Sequence, residues 1–247
     1  MANERLRAAM MQQGVSLVEI AELTEVDPKT VERWLAGRVP YRRTRFTVAQ
    51  HLKVTEAYLW PGDQTIRDSL AIAESEIVTV FPHRYAVPAE LWGQVFDTAE
   101  ENIGILVYSG YFIAENAGLL TLLRSKAEAG SRVRILIGDP DSREVKERSL
   151  SEGIGDALVA RIPNVIALLR PLSTVDGVEV RLHSTVLYNS IFWADEQVLV
   201  NPHIWGVGAP QAPVMHLRQV VGGTMVSTYQ ESFERVWESA RALPEQG

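Results

Sequence analysis

Two helix-start signals stand close together in the first forty residues, and they limit what this end of the chain can become. Ser16-Leu17-Val18-Glu19 has the form of a capping box: the serine hydroxyl accepts from the glutamate backbone N–H while the glutamate reaches back. Asp27-Pro28 sets an N-cap acid before a proline at the first helical position, where the missing N–H costs nothing. Only Thr24-Glu25-Val26 remains for the turn between them, and Gly37 is a natural stop for the second helix. Ile20, Val26, Val31 and Trp34 supply an apolar wedge, and Ala21 is small where the two helices must approach. A helix before the pair carries Leu6, Ala9 and Met10 on one face. A fourth covers about Thr44–Leu52, and a short one follows Thr55 and ends before Pro61. A positive φ at Glu25 would cost on the order of 1 kcal/mol, which such a fold can absorb.

Beyond residue 76 the pattern changes. Residues 61–76, PGDQTIRDSLAIAESE, read as a linker with some helical character. Strand-like runs then follow at Ile77–Phe81, Ile105–Tyr108, Val133–Ile137, Val178–Leu182, Val186–Trp193 and Val198–Val200. Helical tracts alternate with them: Ala89–Ile103, Asn116–Ala129, and a long one from about Arg143 to Leu169 interrupted by Gly153, Gly155 and Pro163. A last helix carries Met225, Tyr229, Phe233, Trp237 and Ala240 as an apolar stripe. Strands alternating with helices predict a mixed or parallel sheet covered by helices.

Charge separates the two parts. The chain of 247 residues has a net charge of −7, yet residues 1–60 are net positive at +2. A mildly basic head on an acidic body fits a protein that meets DNA at one end. The absence of cysteine excludes disulfides and thiolate metal sites, and five scattered histidines suggest no metal centre. No cofactor is expected. No apolar run has membrane-spanning length, and MANERLRAAMMQQG is too charged for a signal peptide, so the expected location is the cytoplasm.

The second helix of the pair is the natural DNA reader. Pro28, Lys29, Thr30, Glu32 and Arg33 are its solvent-facing candidates, and Lys29 and Arg33 lie four apart on one face. Either can read guanine O6 and N7, and Thr30 suits a thymine methyl or a phosphate. Arg42, Arg43 and Arg45 in VPYRRTRF suit phosphate clamping. Trp34 reads as core and Glu32 as a partner for an arginine. The competing reading of residues 1–60 is a helical protein-interaction module whose charges are merely solvated.

Gln13–Gly37 with its flanking helices resembles the Cro/repressor-like (XRE) class of helix-turn-helix regulators over about residues 4–60. Gly177–Gly206, GVEVRLHSTVLYNSIFWADEQVLVNPHIWG, with the closing helix STYQESFERVWESARAL, resembles the phospholipase D-like fold in its single-motif form over roughly residues 77–243. GDPDS, EGIGDAL and LYNSIFWADEQVLVN are similar to strings in the C-terminal domains of XRE-type actinobacterial regulators. The resemblance implies a His-x-Lys-x4-Asp pattern and a Gly-Ser-x-Asn segment. Here His183 holds the nucleophile position, Thr185 the lysine position and Ser190 the aspartate position. Asn201 matches the downstream asparagine only after a one-residue shift. A lone imidazole without its cation and orienting carboxylate is a poor phosphoryl-transfer catalyst, so the expectation is a domain with no catalytic residues and a protein that is not an enzyme.

Ligands of open α/β sheets sit beyond the carboxyl ends of strands. The residues there with ligand-binding chemistry are Ser109, Tyr111, Asp139, Asp141, His183, Thr185, Tyr188 and Asn201, with Gly110, Gly138 and His203 beside them. Asp139-Pro140-Asp141-Ser142 also reads as an ordinary turn and cap. The expected fold class is α + α/β: an all-α helix-turn-helix domain (1–60), a linker (61–76) and a phospholipase D-like mixed-sheet domain (77–243). The expected function is a homodimeric, DNA-binding transcriptional regulator whose second domain dimerises it and senses a small-molecule effector. The alternative is a DNA-targeted phosphodiesterase or nuclease using His183.

Overall fold

The computed structural model describes residues 2–60 and 72–244, the side chains of Arg42 and Ala57 apart. The chain divides into two compact units, Met1–Ala71 and Ile72–Gly247. The first is all helical. Helix α1 (Glu4–Gln13) is capped by Asn3, and α2 (Leu17–Leu23) by Ser16, whose hydroxyl accepts from the Glu19 N–H at 3.2 Å. The Glu19 carboxylate lies 3.6 Å from His51 Nε2, so it faces a later helix and not the Ser16 backbone. Helix α3 (Pro28–Leu35) starts as expected: Asp27 accepts from the Lys29 N–H at 2.8 Å, and Pro28 opens the first turn. Helices α4 (Arg42–His51) and α5 (Glu56–Leu59) complete the unit. Leu6, Ile20, Ala21, Val31, Trp34, Val48 and Leu52 make its core. Glu25, in the α2–α3 turn, does take a positive φ of 55°.

The arginine run differs from expectation. The fourth helix begins two residues earlier than Thr44, so Arg42 and Arg43 lie in its first turn and not in a loop. Tyr41 before them caps without a side-chain bond, which left no start signal to read. The stretch predicted as a linker lies outside the described residues over 61–71, and 72–76 is helical.

The second unit is an eight-stranded mixed sheet with helices on both faces. Strand β1 (Ile77–Phe81) precedes a 3-10 turn (Arg84–Ala86) and α6 (Ala89–Asp97). Then come β2 (Asn102–Val107), α7 (Tyr111–Ala114), α8 (Ala117–Glu128), β3 (Arg132–Gly138), α9 (Arg143–Ser151) and α10 (Ala157–Ser173). Strands β4 (Val178–His183), β5 (Asn189–Ala194), β6 (Gln197–Pro202) and β7 (Val214–Arg218) lead to α11 (Met225–Ser239) and the short β8 (Arg241–Ala242). The order across the sheet is β1-β7-β6-β5-β2-β3-β4-β8. β2, β3 and β4 run parallel to their neighbours in that trio, while β5 lies antiparallel to β2 on its other side.

Alternation along β5 shows how the two faces are filled, since successive strand residues point to opposite sides. Phe192 packs edge-on to Trp92 of α6 and Phe112 of α7. Trp193 goes the other way and meets Phe233 of α11. Its indole lies over Gly104 of β2, where a Cβ would stand 1.8 Å from the indole nitrogen. Arg134 of β3 sits among the rings of that face, 5.0 Å from Phe233, and makes a two-pronged ion pair with Glu234. No helix among the described residues is long and apolar enough to cross a membrane.

Candidate functional site

In the first unit the two sides of α3 divide cleanly. Val31 and Trp34 are buried, while Pro28, Lys29, Glu32 and Arg33 are exposed and Thr30 is half-buried. Lys29 and Arg33 enter no ion pair among the described residues, so both heads are left to solvent. Glu32 enters none either, so the arginine partnership expected for it is not made. Arg43 is exposed at the start of α4, and the Arg42 side chain lies outside what the structure describes. Arg45 is a correction: it is 6% exposed and its Nε lies 2.8 Å from Glu56 Oε1. A guanidinium buried against a carboxylate of α5 holds helices together and does not present itself to a phosphate.

In the second unit the polar residues expected to converge are split among several places. His183 is almost fully buried. Its Nε2 lies 3.0 Å from the Val107 carbonyl and its Nδ1 accepts from the Thr185 N–H at 3.3 Å. A carbonyl only accepts, so Nε2 carries the proton and Nδ1 the lone pair; both ring nitrogens are taken by backbone. Burial lowers the His183 pKa and keeps the ring neutral. Asp139 pairs with Arg241 at 2.7 Å and caps the Asp141 N–H, while Asp141 itself is exposed. Asn201 is fully buried and donates to the Ala212 and Pro213 carbonyls at 3.3 and 2.8 Å, tying β6 to the segment before β7. Asp139 and His183 therefore act as fasteners of the fold, and for them the ligand-binding expectation is corrected; Asn201 is tied through its amide N–H groups, while its buried Oδ1 has no partner among the described residues. Tyr188, 81% exposed, lines a depression of about 240 Å³ with Trp205, Tyr108 and His203.

What does open at the carboxyl end of β2 is a cavity of about 590 Å³. Of the expected ligand residues, Ser109 and Tyr111 line it. Gly110 makes the turn there with φ 62°, and a Cβ would sit 2.8 Å from Val107 Cγ2. The other polar walls are Arg84, Tyr108, Glu115, Glu152, Arg161, Asn164, Ser190 and His203. Ser190 is 4% exposed, with its Oγ 3.1 Å from His203 Nε2, and His203 Nδ1 lies 3.0 Å from the Leu187 carbonyl. The carbonyl again fixes the neutral tautomer: Nδ1–H donates to Leu187, and Nε2 accepts from the serine hydroxyl. The His203 pKa is lowered to about 4, by burial first and then by the charge of Arg148. Tyr108 stacks on the His203 ring at 5.5 Å and its hydroxyl accepts from the Leu187 N–H at 2.9 Å. Burial raises its pKa.

The two arginines and Asn164 were invisible to strand-end reasoning because they come from elsewhere. Arg84 lies in the 3-10 turn after β1; Arg161 and Asn164 lie on α10. Ser190 drew notice only as a replacement for an acid, and His203 only as a neighbour of Asn201. The one available signal was that SxxxxxxxxxxxxH spans the predicted β5–β6 hairpin, which brings its two ends together.

No known family's sequence pattern matches the chain, and no curated protein matches it. Among solved structures it is similar to a phospholipase D family member, Nuc, from Salmonella typhimurium (15% identity, 63% of this chain and 90% of that one, TM-score 0.39). It is also similar to TrmBL2, an archaeal chromatin protein described as having a novel mode of DNA binding (15%, 93% and 88%, TM-score 0.44). A third is phosphatidylserine synthase from Haemophilus influenzae Rd KW20 (13%, 92% and 53%, TM-score 0.45). At such identities the likeness concerns the fold alone. The expectation that this protein is not an enzyme is corrected here, because a phospholipase D family member and a synthase stand among the structures it is similar to.

Proposed function

We propose that this chain is a DNA-binding transcriptional regulator of the cytoplasm, with an XRE-type helix-turn-helix in residues 4–60 and a phospholipase D-like second domain. In this reading α3 enters the major groove, Lys29 and Arg33 meet base edges, and Arg43 meets a phosphate. Two copies joined through the second domain read two half-sites about 34–36 Å apart, one helical turn of DNA. A small-molecule effector in the second domain favours one spacing of the heads over another.

One observation carries the reading. Lys29 and Arg33 project from the exposed face of a properly capped helix whose other face is core, and neither is neutralised by a carboxylate among the described residues. The test is binding of the intact protein to DNA from upstream of its own coding sequence, against shuffled DNA at equal salt. Lys29→Ala and Arg33→Ala should each weaken specific binding by about 1–3 kcal/mol. Specific binding indifferent to both substitutions sinks the assignment of α3 as the reader.

A second reading, phosphoester chemistry within the second domain, is favoured by the Ser190–His203 contact inside the cavity. A serine hydroxyl donating to a neutral imidazole has the arrangement of an activated nucleophile. His183 does not serve it, with both ring nitrogens engaged. Turnover of bis(p-nitrophenyl) phosphate that is lost in both Ser190→Ala and His203→Gln supports this reading; turnover that survives both removes it.

A further inference from the structure

The cavity at the carboxyl end of β2 has a charge arrangement that neither DNA binding nor the serine–histidine contact uses. Two guanidinium groups reach it from distant parts of the chain, Arg84 from the turn after β1 and Arg161 from α10. Each lies over an aromatic face: Arg84 at 4.4 Å from the centroid of Phe112, Arg161 at 5.6 Å from that of Tyr111. A ring orients a guanidinium plane and leaves its N–H fork available. Among the described residues neither group makes a hydrogen bond or an ion pair.

Among the described residues no acid is bonded to either guanidinium, although Glu152 is close enough to favour the charge of Arg84. Glu152 is already held by Arg148 at 2.6 Å, and both of those side chains are largely buried. Glu115 also lines the cavity, but no ion pair joins it to either arginine. Arg84 and Arg161 lie near enough for the second charge to weaken the proton affinity of the first. Burial acts in the same direction and most strongly, bringing Arg84 to about 10, while the Glu152 carboxylate opposes both and offsets part of the fall. Placing like charges together in a partly desolvated space costs free energy, and an anion placed between them returns it. Val107, Phe112 and Leu158 make the rest of the wall apolar, and 590 Å³ falls within the ~300–1,000 Å³ of small-molecule sites.

We infer that this cavity binds a small organic anion, its carboxylate or phosphate monoester group held between Arg84 and Arg161 and its apolar body against Val107 and Leu158. Neither arginine belongs to the His-x-Lys-x4-Asp pattern, so the site is one this chain builds from other elements. The consequence for DNA rests on the effector reading above; the binding itself does not.

The probes are phenyl phosphate and benzoate, with inorganic phosphate and neutral benzamide alongside, titrated calorimetrically into the intact protein without DNA at low salt. One of the two organic anions should bind saturably, once per chain, and benzamide should not. The better of the two identifies the anionic group, and weaker binding of inorganic phosphate assigns a share to the apolar wall. Arg84→Gln and Arg161→Gln should each weaken binding about tenfold or more, as loss of a charge-assisted contact does. Arg143→Gln, on the exposed start of α9, should change nothing. Should Arg84→Gln unfold the protein, Arg84→Lys keeps the charge and loses the fork, and weakened binding is again expected. No saturable binding of either anion at 10 mM or so, equal binding of benzamide, or affinity indifferent to either arginine overturns the inference. Anion binding by a protein that ignores DNA would leave the site standing and remove the regulator reading instead.

Discussion

Arg45 Nε lies 2.8 Å from Glu56 Oε1, so the most buried arginine of the helical unit is spent on joining α4 to α5. Arg43 and Arg45, which look alike in VPYRRTRF, are thus placed differently. Helical spacing explains it: Arg45 shares the inward side of α4 with Val48, Ala49 and Leu52, while Arg43 points to solvent.

That difference is measurable. Arg45→Ala should destabilise the protein by about 2 kcal/mol, below the full cost of breaking a buried pair because Glu56 is partly open to water. The salt dependence of DNA binding should not change. Arg43→Ala should do the reverse, leaving the unfolding midpoint in place and lowering the slope of log affinity against log salt by about 1. Equal effects of the two on the slope would contradict the assignment.

Glu25 sits in the α2–α3 turn at φ 55° with its side chain exposed. A residue with a Cβ is strained there, and glycine is not. Glu25→Gly should therefore stabilise the protein by about 0.5–1 kcal/mol in urea unfolding. A loss of stability would mean that the turn is held by contacts of the glutamate itself.

His203 gives the fold a defined response to acid. Its pKa is about 4 in the folded chain and near 6.5 when unfolded. Between those values the unfolded chain binds more protons, so stability falls as pH drops from about 6.5 to 4. His183 and His216, also lowered by burial, act in the same direction. His203→Gln should remove about 3 kcal/mol of the fall across that window, read as the difference between wild-type and variant unfolding free energies at each pH. Parallel pH profiles for the two proteins would show that the imidazole is not held neutral.

Gly104→Ala tests the packing under α11. The added Cβ would lie 1.8 Å from Trp193 Nε1, inside any tolerable contact, so the indole must leave its place against Phe233. A loss of about 2–3 kcal/mol is expected, together with a changed near-ultraviolet circular dichroism signal from tryptophan. An unchanged spectrum would mean that the sheet backbone yields instead.

Most of the architecture is legible in local signals. Ser16, Asp27 and Pro28 cap where their chemistry says they should, and the strand runs through β6 are found within a few residues. β7 is not, because PVMHLRQVV has no regular alternation of apolar and polar residues: His216 falls on the same side as Val214, and Val220-Val221 follow without a break. Helix α4 starts early because Tyr41 is no capping residue. The candidate site is much less legible. Asp139, His183 and Asn201 carry the right chemistry at strand ends, yet each is tied to a partner that only the tertiary fold supplies: Arg241, Val107 and, through its amide N–H, Pro213. Arg84 and Arg161 stand far apart in sequence, on a turn after β1 and on α10, and nothing local marks either one.

Strand β2 stands between a parallel neighbour and an antiparallel one, and the two sides differ in how freely the chain can change. On the parallel side, each connection runs through two helices that also build the core, so its length is constrained. On the antiparallel side, residues 203–213 join β6 to β7 outside the sheet, with Asn201 anchoring their far end. A chain arranged in this way can acquire a new specificity by insertion in that one segment, leaving the strands and the crossover helices untouched. Descendants of such a protein would be expected to differ in length there first.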